Sequence, residues 1–547
     1  MRDEIATNVA TVIAKLFDVQ VSVELTRPDE QFGDYATSVA MQLAKQLGRN
    51  PREIAEEIAA SLRESSGAIR SVEVAGPGFL NITLTDAALQ AQATTEPGKL
   101  RSDTVVIETN NPNPFKAMHI GHGYNAILGD TIANLIEQAG AAMYRVSYHG
   151  DVGLHVGKSM YALLKYVGDD PAKLDEVPVA EHNAFMSQMY ATGSRAYADD
   201  PEAKAQIDEL TKQSFTREDP VYARVYETCK KWSFAGIDAM VALLGNKPIK
   251  QRFLESDADA RGVEIVRKHT PGVFIESDGA LVFPGSKHGS FDNAYVTSRG
   301  LGLYGARDLG LMQLKNEQYH PDKSYIITGG EQAAYFKGVI TASGLIWPEM
   351  KDVTVNIPTG LVKLSTGKMS SRDGDVLEVE WLFDQFRNAI TARGGEPHDD
   401  LIAGAMRYQF LKVKIGSDVV FDVSEAVSLS GNTGSYLQYA HARARSILAK
   451  SSGDASLDEA EFEAAERTLL RKIGGYNEVA ARAMTELLPH YVCTYLYELA
   501  QEFNRFYEHN RVLGDPRENV RLWLVGRYAE TLKRGLELLG IVAPERM

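Results

Sequence analysis

Cysteine is scarce in this sequence, with only Cys229 and Cys493 among 547 residues. Two distant cysteines exclude a framework of several disulfides and a zinc site made of cysteine alone, and free thiols suit a reducing cytosol. Long apolar runs are also missing, since no stretch reaches the roughly 18 consecutive apolar residues that a membrane helix needs. The N-terminus lacks the basic segment and long apolar run of a secretory signal. We therefore expect a cytoplasmic protein that does not bind membranes.

Positive charge is in deficit, because 58 basic residues face 73 acidic ones and give a formal net charge of −15. Taken alone, this balance argues against a nucleic-acid partner, since phosphate is usually bound by a basic surface. The charge is unevenly distributed, however. Residues 431–450 carry three basic residues and no acid, whereas residues 451–470 carry six acids and one arginine. Nucleic-acid binding would therefore depend on local patches rather than on net charge.

The length predicts three to four domains of about 150 residues each, and the first hundred residues resemble a small α+β domain. Apolar residues at helical spacing predict helices over 1–17 and 37–47, and a third helix that begins at Pro51. The run SVEVAGPGFLNITL, which begins at Ser71, predicts two strands separated by a Gly-Pro-Gly turn. The polar stretch 93–103 is the predicted linker.

A βαβ unit follows this linker. TVVIETN from Thr104 predicts a buried strand, residues 120–139 predict a helix, and MYRVSYHGD from Met143 predicts a second strand. This order predicts a parallel sheet of the dinucleotide-binding type. Residues 166–290 are mixed and charged and are predicted to be an insertion before a second α/β half, after which helical periodicity predicts a bundle. The predicted division is 1–100, 101–380 and 381–547.

The motif His119-Ile120-Gly121-His122 stands between the first predicted strand and its helix. Gly121 has no side chain, so a planar ring can lie on its backbone. The start of the helix offers free N–H groups and a positive dipole end to phosphate, and the two imidazoles can donate to phosphate oxygens. A pair of structural histidines in a turn is the alternative. The βαβ context favours ATP binding by His119, Gly121 and His122.

A second phosphate-binding candidate is the segment Lys368-Met369-Ser370-Ser371-Arg372, in a loop rich in glycine and serine. A lysine in a mobile loop can reach a polyphosphate as a point charge, and the two serines can hydrogen-bond to it. The loop is no P-loop, because the glycine required five residues before Gly367 is missing. An exposed loop with an incidental charge is the alternative.

Together, these motifs resemble the signature pair of class I aminoacyl-tRNA synthetases, and the whole chain resembles the arginyl-tRNA synthetases. ETNNPNPFKAMHIGH is similar to that family's approach to its histidine motif, and RPDEQFGDYATSVAMQLAK and VAGPGFLNITL are similar to its N-terminal domain. GNTGSYLQYAHARARSIL and the closing LELLGIVAPERM resemble its anticodon-binding domain. The resemblance implies an α/β fold: a class I Rossmann-like catalytic core with an insertion, an N-terminal α+β extra domain and a C-terminal α-helical bundle.

The resemblance also implies a two-step reaction. ATP activates L-arginine to arginyl-adenylate with release of pyrophosphate, in the presence of bound tRNA(Arg), and the arginyl group then passes to the terminal ribose of the tRNA. Such chemistry needs positioning and charge neutralisation more than covalent catalysis. His119, His122 and Lys368 are expected to stabilise developing charge, with Mg²⁺ bridging ATP phosphates and no protein-only metal site. Lys116 would share this work, or is an ordinary surface lysine.

Six residues match the arginine pocket of the family: Glu108, Asn111, Asn113, Tyr304, Asp308 and Gln332. Glu108 and Asn113 match residues that bind the α-amino group and neighbouring polar atoms. Tyr304 and Asp308 match the pair that holds the guanidinium, whose planar fork suits a carboxylate. Their spacing of four residues lets both face one site on a helix. In GDVGLHVGK, His155 replaces a glutamine of the family pattern and either faces the substrate or is a polar residue at a helix start.

The predicted helical domain carries the expected anticodon contacts, made by stacking on aromatic rings and by polar contacts to splayed bases. The candidates are Tyr436, Tyr439, His441, Arg443 and Arg445. Two tyrosines at this spacing also suit a pair that faces the core. The resemblance further implies that the N-terminal domain touches the tRNA elbow and that the protein is a monomer.

Two other functions compete with this one. The chain could be another class I synthetase, although the set Tyr304, Asp308 and Gln332 favours arginine. It could instead be a catalytically inactive tRNA-binding paralogue. The presence of both signature motifs argues against the inactive paralogue, because a copy without catalysis has no reason to keep them.

Overall fold

The computed structural model describes residues 1–65, 67–365, 377–451, 455, 457 and 461–547. Helices and strands of the N-terminal part are α1 (Arg2–Phe17), β1 (Tyr35–Thr37), α2 (Val39–Leu47), α3 (Pro51–Ser65), β2 (Ile69–Ala75), β3 (Phe79–Leu84) and α4 (Asp86–Thr94). The strands pair antiparallel in the order β1-β3-β2. Apolar residues every third or fourth position of the helices pack on this sheet, as the sequence pattern predicted.

The central part begins with β4 (Thr104–Glu108), α5 (Ile120–Gln138), β5 (Ala142–His149), α6 (Leu154–Val167), α7 (His182–Asp199), α8 (Pro201–Thr216), α9 (Pro220–Leu243), β6 (Gln251–Leu254) and α10 (Glu255–Lys268). It continues with β7 (Ile275–Ser277), β8 (Ala280–Phe283), β9 (Asn293–Val296), α11 (Tyr304–Tyr319), β10 (Lys323–Gly329), α12 (Ala333–Ile346), β11 (Thr354–Thr359) and β12 (Val362–Leu364).

Five parallel strands form the central sheet in the order β11-β10-β4-β5-β6. The chain moves outward from β4 through β5 to β6 and later outward on the other side through β10 to β11. The strand order therefore reverses between β4 and β10. In open α/β sheets, ligands bind in the crevice outside the carboxyl ends of the strands at such a switch point.

The remaining elements are α13 (Val379–Ala392), α14 (Asp399–Leu411), β13 (Val419–Phe421), α15 (Val423–Ala426), α16 (Gly434–Lys450), α17 (Ala464–Gly474), α18 (Tyr476–Glu486), α19 (His490–His509) and α20 (Glu518–Leu538). This part is a helical bundle apart from β13, which pairs in parallel with β12. The predicted fold class, an α/β core between an α+β domain and a helical bundle, is confirmed. No helix of the described residues has the length and apolar character to cross a membrane.

Two short strands differ from the sequence-based prediction. β6 and α10 fall inside the predicted insertion 166–290, yet β6 extends the central sheet and pairs with β5. β13 lies where only helices were predicted. Both strands have four residues or fewer, which is too short for apolar alternation to reveal them. The segments added to the sheet are therefore α7–α9 and the small antiparallel sheet β7-β8-β9.

Arg407 of α14 joins the bundle to the helix that follows the histidine motif. Its guanidinium is fully buried, and its five N–H donors reach the carbonyls of Leu539 and Leu244 and side chains of Asn246, Asp130 and Thr131. Gly540, at φ +72°, leaves room for this group, because a Cβ there would lie 2.2 Å from Nη2. The bundle thus holds α5 in place beneath the sheet.

A second joint connects the N-terminal domain to α17 and α18 of the bundle. Arg27 and Tyr35 both bond to Glu478 across this joint, at 2.8 and 2.5 Å. Asp34, which is almost fully buried, pairs with Arg467 at 2.8 Å and Arg471 at 3.2 Å. The N-terminal domain therefore rests on the bundle through buried ion pairs.

Candidate active site

The histidine motif caps the N-terminus of α5. His119 is the N-cap residue, and its Nδ1 accepts a hydrogen bond from the backbone N–H of His122 at 3.3 Å. The two imidazole rings stack with their centroids 3.5 Å apart. A Cβ at Gly121 would lie 3.2 Å from the His119 ring. The motif therefore places two stacked rings at the start of the helix. The prediction of free N–H groups there is wrong for Ile120, His122 and Gly123, whose N–H groups donate to Leu377 and His119.

Both histidines are neutral at physiological pH. Burial lowers the pKa of His119 to about 4, and the nearby Lys116 adds to this effect. Burial holds the pKa of His122 well below its usual range, and the nearby His119 and Lys116 lower it further. The buried Nδ1 of His122 has no hydrogen-bond partner among the described residues. The rings can therefore donate hydrogen bonds to phosphate, but positive charge must come from lysine.

The segment on the far side of the predicted lysine loop is bonded to the histidine motif. The N–H of Ile120 donates to the carbonyl of Leu377 at 2.9 Å, and the N–H of Val379 donates to Met118 at the same distance. Lys368, Met369, Ser370, Ser371 and Arg372 themselves lie outside the described residues. The chain that follows this loop therefore starts beside His119, and this arrangement agrees with a shared nucleotide site.

A cleft opens at the carboxyl ends of β4, β5 and β10, and has two connected parts. The first, of about 310 Å³, is bounded by the histidine motif and by residues 359–364. The second, of about 580 Å³, shares His119 and His122 with the first. Its walls include every residue predicted for the arginine pocket, together with Lys116: Glu108, Asn111, Asn113, Tyr304, Asp308 and Gln332. The structure thus brings together residues that are 224 positions apart in sequence (332 − 108).

Asp308 is the acidic side chain inside the second part that has no basic partner among the described residues. It faces the cleft from the first turns of α11, and the hydroxyl of Tyr335 donates to its Oδ2 at 2.5 Å. Burial raises the pKa of Asp308 to about 7, against the opposing effect of the Tyr335 hydrogen bond. A cation placed beside this carboxylate would restore its ionised form. Tyr304, at the start of the same helix, is 68% exposed at the rim.

Glu108 has protein partners on both carboxylate oxygens. Lys315 donates to Oε1 at 2.7 Å and Asn111 donates to Oε2 at 2.6 Å, and both Glu108 and Lys315 are almost completely buried. Asn111 in turn accepts from the N–H of Tyr148, and Asn113 accepts from the N–H of Gly150. These bonds fix the loop after β4 to the end of β5. A direct contact of Glu108 with the substrate amino group stays a prediction.

Among the residues of the cleft and its wall that the sequence did not predict are four with ionisable side chains: Tyr148, Glu255, Arg307 and Tyr335. Arg307 binds Glu255 at 2.9 Å and Asp259 at 2.8 Å, so these two acids are compensated where Asp308 is not. Glu255 follows the four-residue strand β6, which the sequence analysis did not predict. Tyr335 stands only three residues after Gln332, and a helical reading of GGEQAAYF could have placed both on one side.

His155 braces the loop before α6. Its Nε2 lies 2.7 Å from the carbonyl of Gly150, and burial lowers its pKa to about 4. Of the two alternatives for this residue, the structure therefore favours the polar residue at a helix start. Among the described residues, no group of three or more His, Cys, Asp or Glu side chains is arranged to hold a metal ion.

The predicted tRNA-binding residues all belong to α16 but differ in accessibility. Tyr439 is 40% exposed, and the exposed Arg445 pairs with Glu545 at 2.6 Å. His441 is an exception to the prediction, because it is buried and its Nδ1 lies 2.8 Å from the carbonyl of Pro544. His441 therefore holds the C-terminal segment against α16 and offers no ring to a base.

Tyr436 and Arg443 share a partner on α19. The hydroxyl of Tyr436 accepts from Asn504 at 2.7 Å, and Arg443 donates to the same side chain at 3.4 Å. Arg443 also lies over the ring of Tyr507, 4.6 Å from its centroid. Both residues are half-buried, and their polar groups are bonded to the neighbouring helix rather than fully open to solvent.

Three family models match successive parts of the chain. The model of the class I (R) tRNA synthetase catalytic domain matches residues 83–420. The arginyl-tRNA synthetase N-terminal domain matches residues 3–84, and the DALR anticodon-binding domain matches residues 437–547. With the switch-point cleft and the histidine motif, these matches define a class I aminoacyl-tRNA synthetase.

Relatives and solved structures agree on the particular family. The arginine–tRNA ligase of Frankia casuarinae is 31% identical over 96% of this chain and 94% of that protein, and that of Bacteroides thetaiotaomicron is 25% identical over the whole of both. The Thermus thermophilus arginyl-tRNA synthetase has the same fold, with a TM-score of 0.82 at 24% identity over both whole chains. The chain belongs to the arginyl-tRNA synthetase family, whose members activate arginine with ATP and attach it to tRNA.

Proposed function

We propose that the cleft binds L-arginine in its second part and ATP in its first, so that the arginine carboxylate meets the α-phosphorus between them. The observation that carries this assignment is Asp308, a carboxylate enclosed in the cleft without a basic partner among the described residues. A guanidinium is a planar, permanently charged fork of donors, and a desolvated carboxylate is its natural acceptor.

The arginine side is organised to leave one negative charge for the substrate. Lys315 compensates Glu108, and Arg307 compensates Glu255 and Asp259. Tyr335 donates to one oxygen of Asp308 and thereby turns the carboxylate into the cleft. Tyr304 and Gln332 close the rim over the guanidinium, and Asn111 and Asn113 lie near the amino group.

The ATP side relies on neutral donors and on lysine. The bare backbone at Gly121 supports the adenine ring, and His119 and His122 donate to phosphate oxygens. Lys116, and Lys368 with Met369, Ser370 and Ser371 of its loop, supply positive charge and further donors. No protein nucleophile is needed, because the arginine carboxylate attacks the α-phosphorus and pyrophosphate leaves. Mg²⁺ arrives with ATP, whose phosphate oxygens are the ligands it prefers.

Bound tRNA completes the reaction. Tyr436, Tyr439, Arg443 and Arg445 form the anticodon-binding surface of the bundle, and the N-terminal domain meets the tRNA elbow. The enzyme acts as a monomer and needs bound tRNA(Arg) to form the adenylate. It acts in the cytoplasm, where its two free, buried cysteines stay reduced.

Arginine-dependent exchange between ATP and pyrophosphate, measured with and without tRNA(Arg), tests the reaction. We expect exchange only when arginine and tRNA are both present. Exchange driven by another amino acid would indicate a different class I synthetase. Binding of tRNA without any exchange would indicate an inactive paralogue.

The substitution Asp308→Asn tests the arginine site. We expect the KM for arginine to rise at least 100-fold, because the charge partner of the guanidinium is lost, while the KM for ATP changes little. Asp352→Asn makes the same chemical change at an exposed loop position and is the matched control. An equal loss of affinity for arginine and ATP would remove Asp308 from the arginine site.

A further inference from the structure

Tyr148 stands at the carboxyl end of β5, where the sheet meets the cleft. Its N–H donates to Asn111 at 2.8 Å, and its ring packs on an apolar cluster that includes Val106, Val146 and Leu311. Its side chain also lines the arginine side of the cleft. The ring is therefore fixed in position by strand and core before any substrate binds.

The hydroxyl of Tyr148 is buried and has no hydrogen-bond partner among the described residues. Tyr335, which lines the same cleft, bonds to Asp308 instead. Buried polar groups in folded proteins almost always have a partner, and an unpaired one calls for a functional explanation. Because the Tyr148 side chain lines the cleft and Asp308 and Glu255 act on its phenol, the molecule that fills the cleft is the nearest source of a partner for the hydroxyl.

The charges around this hydroxyl match one part of the proposed substrate. Burial raises the pKa of Tyr148 well above its usual value, and Asp308 and Glu255 act in the same direction. Arg307 lowers the pKa of Tyr148, and Glu108 raises it. The phenol therefore stays protonated, and it can accept one hydrogen bond while donating another to a carboxylate.

We propose that the Tyr148 hydroxyl binds the guanidinium of the substrate arginine, accepting one N–H donor of the group whose charge is held by Asp308. This inference rests on the proposed arginine site. A guanidinium brings five donors, more than one carboxylate can satisfy. A neutral acceptor satisfies a further donor without adding a negative charge to the pocket. Tyr148 is thus a specificity-determining residue for a terminal –NH₂ at this position.

The substitution Tyr148→Phe removes only this oxygen. We expect the KM for arginine to rise about tenfold, as for one hydrogen bond to a charged group, with the KM for ATP and kcat nearly unchanged. Tyr144→Phe is the matched control, because Tyr144 lies on the same strand with its ring against Tyr319 and outside the cleft. An unchanged arginine KM in Tyr148→Phe would overturn the proposal.

The thermal midpoint of the substrate-free enzyme separates substrate binding from a structural role. Since the hydroxyl has no protein partner, Tyr148→Phe should keep or raise the Tm of the wild-type enzyme. A lower Tm would show that the hydroxyl is bonded within the protein and would contradict the proposal.

The analogue ω-N-methylarginine sharpens the test, because a methyl group replaces one terminal N–H. The wild-type enzyme should discriminate against it in kcat/KM, and Tyr148→Phe should reduce this discrimination at least fivefold, since no acceptor is left to lose. Unreduced discrimination would contradict a contact at that nitrogen. Asp308→Asn, assayed in parallel, separates the two claims. If neither Asp308→Asn nor Tyr148→Phe changes the KM for arginine, the proposed arginine site is wrong. If Asp308→Asn raises the KM for arginine and Tyr148→Phe does not, only the role of Tyr148 is overturned.

Discussion

The two parts of the cleft differ in charge. On the arginine side, Glu255 and Glu108 form ion pairs with Arg307 and Lys315, and the buried Asp308 stays available to the substrate. On the ATP side, His119 and His122 are held neutral, and charge is left to lysines. The difference follows from the ligands. A fixed cation in a specific side chain calls for one buried carboxylate, whereas a polyphosphate calls for many donors and movable positive charge.

The substitution Lys315→Met should have the largest effect, because it disturbs the charge balance of the arginine side. It leaves the buried Glu108 without its cation, so we expect the free energy of unfolding to fall by about 3–5 kcal/mol. Urea denaturation measures this loss. The double variant Glu108→Gln/Lys315→Met should recover most of the stability, since no unpaired charge remains. If the double variant is as unstable as the single one, packing rather than charge explains Lys315.

The substitution His119→Asn tests the ATP side of the cleft. We expect kcat for ATP–pyrophosphate exchange to fall about 10²- to 10³-fold, the usual cost of losing one preorganised donor to developing charge. The KM for arginine should change less than threefold. His398→Asn, at an exposed histidine, is the control. A large rise in arginine KM would show that the two sides are not separate.

The pH dependence of the two KM values distinguishes the arginine side from the ATP side, with a smaller expected effect. Arginine binds the ionised form of Asp308, whose pKa in the free enzyme is about 7. As pH falls below 7, the KM for arginine should therefore rise, approaching tenfold per pH unit. The KM for ATP should not follow, because the pKa of His119 is about 4. In Asp308→Asn, the arginine profile should flatten between pH 6 and 8, and a wild-type-like slope there would assign the titration to another group.

Much of this site could be predicted from sequence, and the exceptions have physical causes. The turn before α5 carries its histidines in a local motif, and α11 sets the spacing of Tyr304 and Asp308. Their meeting with Gln332 depends on the parallel sheet, which the alternation of strands and helices predicted. The family resemblance supplied the roles.

Other features depend on tertiary contacts that local patterns do not encode. Tyr148 has an ordinary strand sequence, and only the structure shows its hydroxyl unpaired at the cleft. Lys315, the basic partner of Glu108, comes from a helix 207 residues further along the chain. His441 was predicted to contact the anticodon, but the returning C-terminal segment covers it.

A crystal structure of the enzyme with tRNA(Arg), L-arginine and a nonhydrolysable ATP analogue tests the assignment of the two sides most directly. We predict that the guanidinium lies within hydrogen-bond distance of Asp308 and the Tyr148 hydroxyl, while the phosphates contact His119 and His122. A guanidinium bound elsewhere, or an arginine with its carboxylate turned away from the α-phosphate, would contradict the account.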